Sequence, residues 1–139
     1  MGVTITATKS SYSFDMGCGG FFDLRQNIAY ILNEELGEVY ETLIHCHSRE
    51  AFEEHDRRAS RVIAKYDLDR YRGVLDFLYS SDCGGSANYK VCKQIYDLIK
   101  DVDFGDKCFR YAMLAHNDYE EFKAFLMECY SHRRSMRWY

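Results

Sequence analysis

Both ends of this chain carry strand chemistry, and the long middle carries helix chemistry. Residues 3 to 14, VTITATKSSYSF, alternate β-branched or aromatic residues with small polar ones, the period-two pattern of a half-buried strand. The closing residues, SMRWY, suit a last strand. Strand backbones need partners for their N–H and C=O groups, so strands at both ends of a helical chain are predicted to meet. The fold expected is α+β and mostly helical, with roughly four or five helices packed around a small sheet formed by the N- and C-terminal strands. With 139 residues and no visible linker, the chain reads as a single globular domain spanning residues 1–139.

The helical stripes follow one another between these ends. After the glycine-rich break DMGCGG come Phe21, Leu24, Ile28, Ile31, Leu32 and Leu36 at three- and four-residue steps, an amphipathic helix for which Gly37 is the expected stop. Residues 38 to 47, EVYETLIHCH, suit either a short strand or a further helical turn. Ser48, followed by Glu50, looks like an N-cap for a helix that turns Phe52, His55, Ala59, Val62, Ile63 and Tyr66 inward. Asp67 or Asp69 would cap the next helix, with Tyr71, Val74, Leu75 and Leu78 as its apolar positions. Ser86 is the expected cap of a helix striped by Tyr89, Cys92, Ile95, Tyr96 and Ile99. A loop, DVDFGDK, precedes a long or broken helix from Cys108 onward.

Composition narrows the classes. The chain is 47% hydrophobic and 16% aromatic, with 12 tyrosines and 9 phenylalanines, so a sizeable core is easily supplied. It shows no long apolar run and no basic leader before an apolar stretch, which points to a cytoplasmic protein without a membrane span. A net charge of −4 argues against a dedicated nucleic-acid binder. Six cysteines are present (Cys18, Cys46, Cys83, Cys92, Cys108 and Cys129). Without an export signal, a disulfide framework is the weaker reading. Cys92, Cys108 and Cys129 fall among apolar helical positions, where a thiol acts as a small hydrophobe.

Three places could carry function. In YSSDCGGSANYKVC, residues 79 to 92, Ser81 and Asp82 can bond backbone amides, while Gly84 and Gly85 permit positive φ. That is foremost a tight link between helices, and it is also a candidate contact site through Ser81, Asp82, Cys83 and Gly84. In HCHSREAFEEH, His45 and His47 share one side of an extended segment, and His55 follows on the next helix. Such a cluster is the chain's best metal candidate, zinc being the natural occupant, although its spacing matches no zinc signature. No other cofactor is implied. In the tail, Arg133, Arg134 and Arg137 lie beside Trp138, a combination suited to protein recognition or to single-stranded nucleic acid.

Taken together, SYSFDMGCGGFFDLRQNIA, LDFLYSSDCGG and the terminal RW resemble a set of uncharacterised small bacterial proteins. These share an opening strand, an aromatic–Gly turn before a helix, an SDC-acid-G loop and a terminal strand. Gly84 stands where the set carries an acid. The resemblance implies the architecture and no particular activity.

No phosphate loop, dinucleotide fingerprint or spaced metal motif is found. The reading expected is a non-catalytic protein that binds another protein, of an accessory, immunity or regulatory kind in a bacterium or phage. The alternatives are a metal- or thiol-dependent enzyme using His45, His47, His55 and Cys83, and a nucleic-acid contact through the arginine-rich tail. Nothing in the sequence names the partner or the oligomeric state.

Overall fold

The computed structural model describes residues 2–81, 83–102 and 116–139. It is α+β and mostly helical. Helices α1 (Cys18–Leu32), α2 (Glu34–Glu41), α3 (Arg49–Lys65), α4 (Arg72–Tyr79), α5 (Tyr89–Ile99) and α6 (His116–Ser131) pack against strands β1 (Gly2–Ala7), β2 (Ser13–Gly17), β3 (Gly85–Ala87) and β4 (Met136–Trp138). The strands form one antiparallel sheet in the order β2-β1-β4-β3.

The chain ends do pair. β4 lies beside β1 with Ile5 opposite Trp138 and Ala7 opposite Met136. Just beyond β4, Thr4 and Tyr139 exchange both backbone hydrogen bonds, at 2.9 and 3.1 Å. The opening run is a hairpin rather than one strand. Val3, Ile5 and Ala7 face inward, the chain reverses with Lys9 in the left-handed region at φ 57°, and β2 returns to pair Thr6 with Ser13. The turn supplies its own partner, since the Ser10 hydroxyl accepts the Tyr12 N–H at 3.1 Å.

β2 runs into α1 without a loop, and the α1 stripe ends earlier than the glycine suggests. Asn33 is extended and serves two helices: its N–H donates to the Ala29 carbonyl at 3.0 Å, and its side chain accepts the Leu36 N–H at 3.0 Å. One asparagine therefore closes α1 and caps α2. Gly37 is not a stop. It sits inside α2 because a Cβ there would lie 2.3 Å from Tyr30 Cγ, so the close α1–α2 contact requires its absence. Residues 42–45 continue α2 as a 3-10 turn.

Ser48 caps α3 as expected, accepting the Ala51 N–H at 3.1 Å. Along α3, His55, Ala59 and Val62 are buried, whereas Phe52 and Tyr66 remain exposed. Asp67 adopts a left-handed conformation and makes no capping bond; α4 begins later, at Arg72. Asn88, not Ser86, caps α5, accepting the Lys90 and Val91 N–H groups at 3.0 Å each. Ser86 belongs to β3. Most of DVDFGDK and the stretch from Cys108 to Ala115 lie outside the described residues.

The core joins the sheet's inner face to α1, α4, α5 and α6. Trp138 is 2% exposed and meets Phe77 edge-on, at 5.3 Å between ring centroids. Opposite Trp138 in the β3–β4 register stands Gly85. A Cβ on Gly85 would lie 2.3 Å from indole Cζ2. Gly85 is thus a glycine for close approach; among the described residues no glycine has positive φ.

At the end of α6, Arg133 is left-handed at φ 53°, with Arg133 N–H on the Tyr130 carbonyl at 3.2 Å and Arg134 N–H on the Cys129 carbonyl at 2.8 Å. That pair of bonds is a Schellman ending, which ordinarily uses glycine at this position.

Two stability predictions follow from these backbone positions. Gly85→Ala lowers unfolding free energy by about 1–3 kcal/mol through overpacking against Trp138. Gly84→Ala, whose Cβ would come no closer than 3.9 Å to the Trp138 carbonyl oxygen, shifts it by less than about 0.5 kcal/mol; equal urea midpoints for the two variants would refute the packing argument. Arg133→Gly raises stability by up to about 1 kcal/mol by relieving the left-handed strain, seen as a higher melting temperature in calorimetry.

Candidate functional site

A cleft of about 550 Å³ opens between α1, the turn after α2, α3 and the end of α4. Its walls carry Phe22, Tyr40, Leu43, Phe52, Leu78 and Tyr79, and its polar groups come from Arg25, Asp56, Ser80 and Ser81. The floor is built by the last turn of α4. A helix leaves its final carbonyls without internal partners, and here side chains from other elements take them. Arg25 Nη1 donates to the Phe77 and Ser80 carbonyls at 3.1 and 2.7 Å. The Tyr40 hydroxyl donates to the Leu78 carbonyl at 2.8 Å. Just past the helix, Trp138 Nε1 donates to the Ser81 carbonyl at 2.9 Å.

Arg25 is the notable charge. It is 5% exposed, its guanidinium carbon lies 4.5 Å from the centroid of the Phe21 ring, and its Nε is buried with no acceptor. No ion pair to it occurs among the described residues, although Asp56 lines the same cleft. A buried cation held only by neutral carbonyls is an incompletely compensated charge.

Beneath Tyr79 lies a second polar pair. The Thr42 hydroxyl donates to the Val39 carbonyl at 2.6 Å, so its 3.1 Å contact with His55 Nδ1 makes Nδ1–H the donor. Burial favours the neutral form of the ring, in which Nε2 carries the lone pair. That Nε2 is buried without a partner, as is the Tyr79 hydroxyl. Burial holds the imidazole below the usual histidine range, with Arg58 adding to the effect and Asp56 opposing it. Burial likewise pushes the Tyr79 hydroxyl well above the ordinary tyrosine value, with Tyr40 and Asp56 adding.

The residues expected from sequence are distributed differently. His55 is in the core while His45 and His47 are exposed. Among the described residues no group of three His, Cys, Asp or Glu side chains is placed to hold a metal ion. The expected zinc grouping of His45, His47 and His55 is therefore not assembled, because His55 follows the apolar stripe of α3 inward while His45 ends the 3-10 turn and His47 lies in the exposed link after it. Ser81 organises its turn as anticipated, its hydroxyl accepting the Cys83 N–H at 3.0 Å. Cys83 and Gly84 are exposed, and Asp82 lies outside the described residues.

The tail is also divided. Strand alternation sends Arg137 to the outer sheet face and Trp138 to the core. Trp138 is thus 2% exposed and packed in the core, with its side chain turned away from that of Arg137. Arg134 pairs with Glu128 at 3.5 Å, and Arg133 is exposed at the end of α6. Arg137, Gly84 and Trp138 do meet along an open depression of about 530 Å³, shared with Thr6, Gly85, Ser86 and Tyr139. Unlike the cleft, that depression holds no buried unpartnered side-chain atom among the described residues.

Arg25 went unmarked in the sequence. Its signal was there: it lies four residues after Phe21, on the inward stripe of α1, where a charge is out of place. No family model matches the chain, and no curated protein or solved structure is significantly similar to it.

The neutral buried state of His55 has a pH consequence. The unfolded ring takes up a proton near pH 6.5, whereas the folded ring resists until lower pH. Stability is therefore full above about pH 6.5 and falls as the pH drops through the interval down to the folded value. Urea midpoints measured at about pH 7.5 and pH 5.5 should fall further for the native protein than for His55→Phe; an equal fall would mean that His55 does not supply the difference.

Proposed function

We propose that the protein acts without catalysis, by binding another protein through the cleft between α1, α3 and the end of α4. The supporting observation is the cleft's make-up: aromatic walls, an exposed Phe52 at 47% of its free surface on one side, and an Arg25 held only by neutral carbonyls. Aromatic and arginine side chains around a pocket are what protein recognition sites are enriched in. An accessory, immunity or regulatory role in a bacterium or phage is the setting this reading suggests. The enzyme alternative would require His45, His47, His55 and Cys83 to converge. The exposed positions of His45 and His47, opposite in character to the buried His55, favour binding over that chemistry. The nucleic-acid alternative gains little from a tail whose tryptophan faces the core.

Phe52→Glu places a charge on the rim without touching the core. In quantitative capture from the source cells, a stoichiometric protein retained by the native chain should fall at least about thirtyfold with the variant, the loss of roughly 2 kcal/mol typical of a binding hot spot. Equal retention by both, or no stoichiometric partner, would count against the cleft as the binding surface.

A further inference from the structure

We infer that the cleft takes the free C-terminal residue of the partner, an apolar residue whose α-carboxylate is received by Arg25. This deepens the protein-binding reading and rests on it.

The charge argument comes first. Arg25 is 5% exposed, lines the cleft and has no carboxylate partner among the described residues; its Nε is too buried to meet a ligand, whereas Nη2 makes no hydrogen bond among the described residues. Guanidinium groups pair with carboxylates through charge-assisted bonds stronger than those to neutral carbonyls. Nη1 is already fixed by the Phe77 and Ser80 carbonyls. The donor is therefore preorganised, and the ordering cost of binding is largely met in advance.

The walls supply the second argument. Phe22, Phe52, Leu43 and Tyr79 surround the charge with apolar surface. An Asp or Glu side chain would bring its carboxylate on a thin stalk and leave these walls to another residue. A terminal apolar residue brings the carboxylate and the apolar mass from a single Cα. Capture of a terminal carboxylate is a recurrent mode of peptide recognition.

Asp56 supplies the third. It lines the same cleft, while the hydrogen bonds of Arg25 go to the Phe77 and Ser80 carbonyls instead. It can accept a backbone N–H of the incoming chain, and its negative charge limits the site to one carboxylate. A polyanion such as nucleic acid is disfavoured on the same ground.

The test uses three small probes at neutral pH and constant salt, followed by amide shifts in the full chain. N-acetylphenylalanine carries the terminal carboxylate, N-acetylphenylalaninamide lacks it, and N-acetylaspartic acid α-amide carries a carboxylate only on its side chain. The first should shift the Phe22, Ser80 and Ser81 amides saturably, binding at least about tenfold tighter than the other two. Arg25→Gln should bring its affinity down to that of the amide, and Arg25→Lys should restore part of it. If Arg25→Gln does not fold, the comparison of acid with amide on the native protein decides alone. Equal binding of acid and amide would overturn the role of Arg25 while leaving the cleft as a protein-binding surface. Equal binding of the aspartyl probe would overturn the terminal-residue assignment. No saturable shift of cleft amides with any probe would overturn the inference altogether, independently of the capture experiment.

Discussion

The C-terminal end of α4 is where the structure is tied together. α4 has eight residues, too short to be stable by itself, and it ends on carbonyls that the helix cannot satisfy. Arg25 from α1 and Tyr40 from α2 donate to carbonyls of this helix end, and Trp138 from β4 donates to the Ser81 carbonyl just beyond it. Three elements distant in sequence therefore converge on one short helix end, and each bond fixes the angle at which its element reaches the core. The same convergence leaves a hollow in front of the helix end, so the cleft is a by-product of how α4 is terminated.

Arg25 illustrates how one residue can serve structure and remain open to chemistry. As a donor to α4 carbonyls it complements the negative end of the helix, which offsets part of the cost of burying a cation. The offset is incomplete, because carbonyl dipoles do not neutralise a full charge. Tyr79 and His55 show the same incompleteness on the neighbouring side of α4, where a phenol and an imidazole nitrogen are buried with nothing to bond. Such groups gather along one seam between α1, α3 and α4.

How much of this was legible in the sequence depends on the range of the interaction. Local signals read correctly: the Ser48 cap, the α5 stripe and the strand chemistry at the two ends. Asn33 was missed because it ends one helix and starts another without breaking the apolar periodicity across it. Gly37 and Gly85 were misread for one shared reason: their role is set by rings elsewhere in the chain, Tyr30 and Trp138, which local rules cannot see. The tail misled because Arg and Trp adjacent in sequence point to opposite faces of a strand. Arg25 escaped because an inward charge is meaningful only once its acceptors, some fifty residues away (52 and 55 positions along the chain), are known.

The pairing of β4 with β1 joins positions as far apart as Ile5 and Trp138. On a ribosome, β1 and β2 emerge first and β4 last of the described strands. Until β4 arrives, β1 has one unpaired edge on which the backbone groups of Thr4 and Thr8 have no partner, an open template for another nascent chain. α1, α4 and α5 can form their contacts during that interval, but the sheet cannot close. The arrival of β4 therefore ends the period in which β1 is most exposed to mispairing.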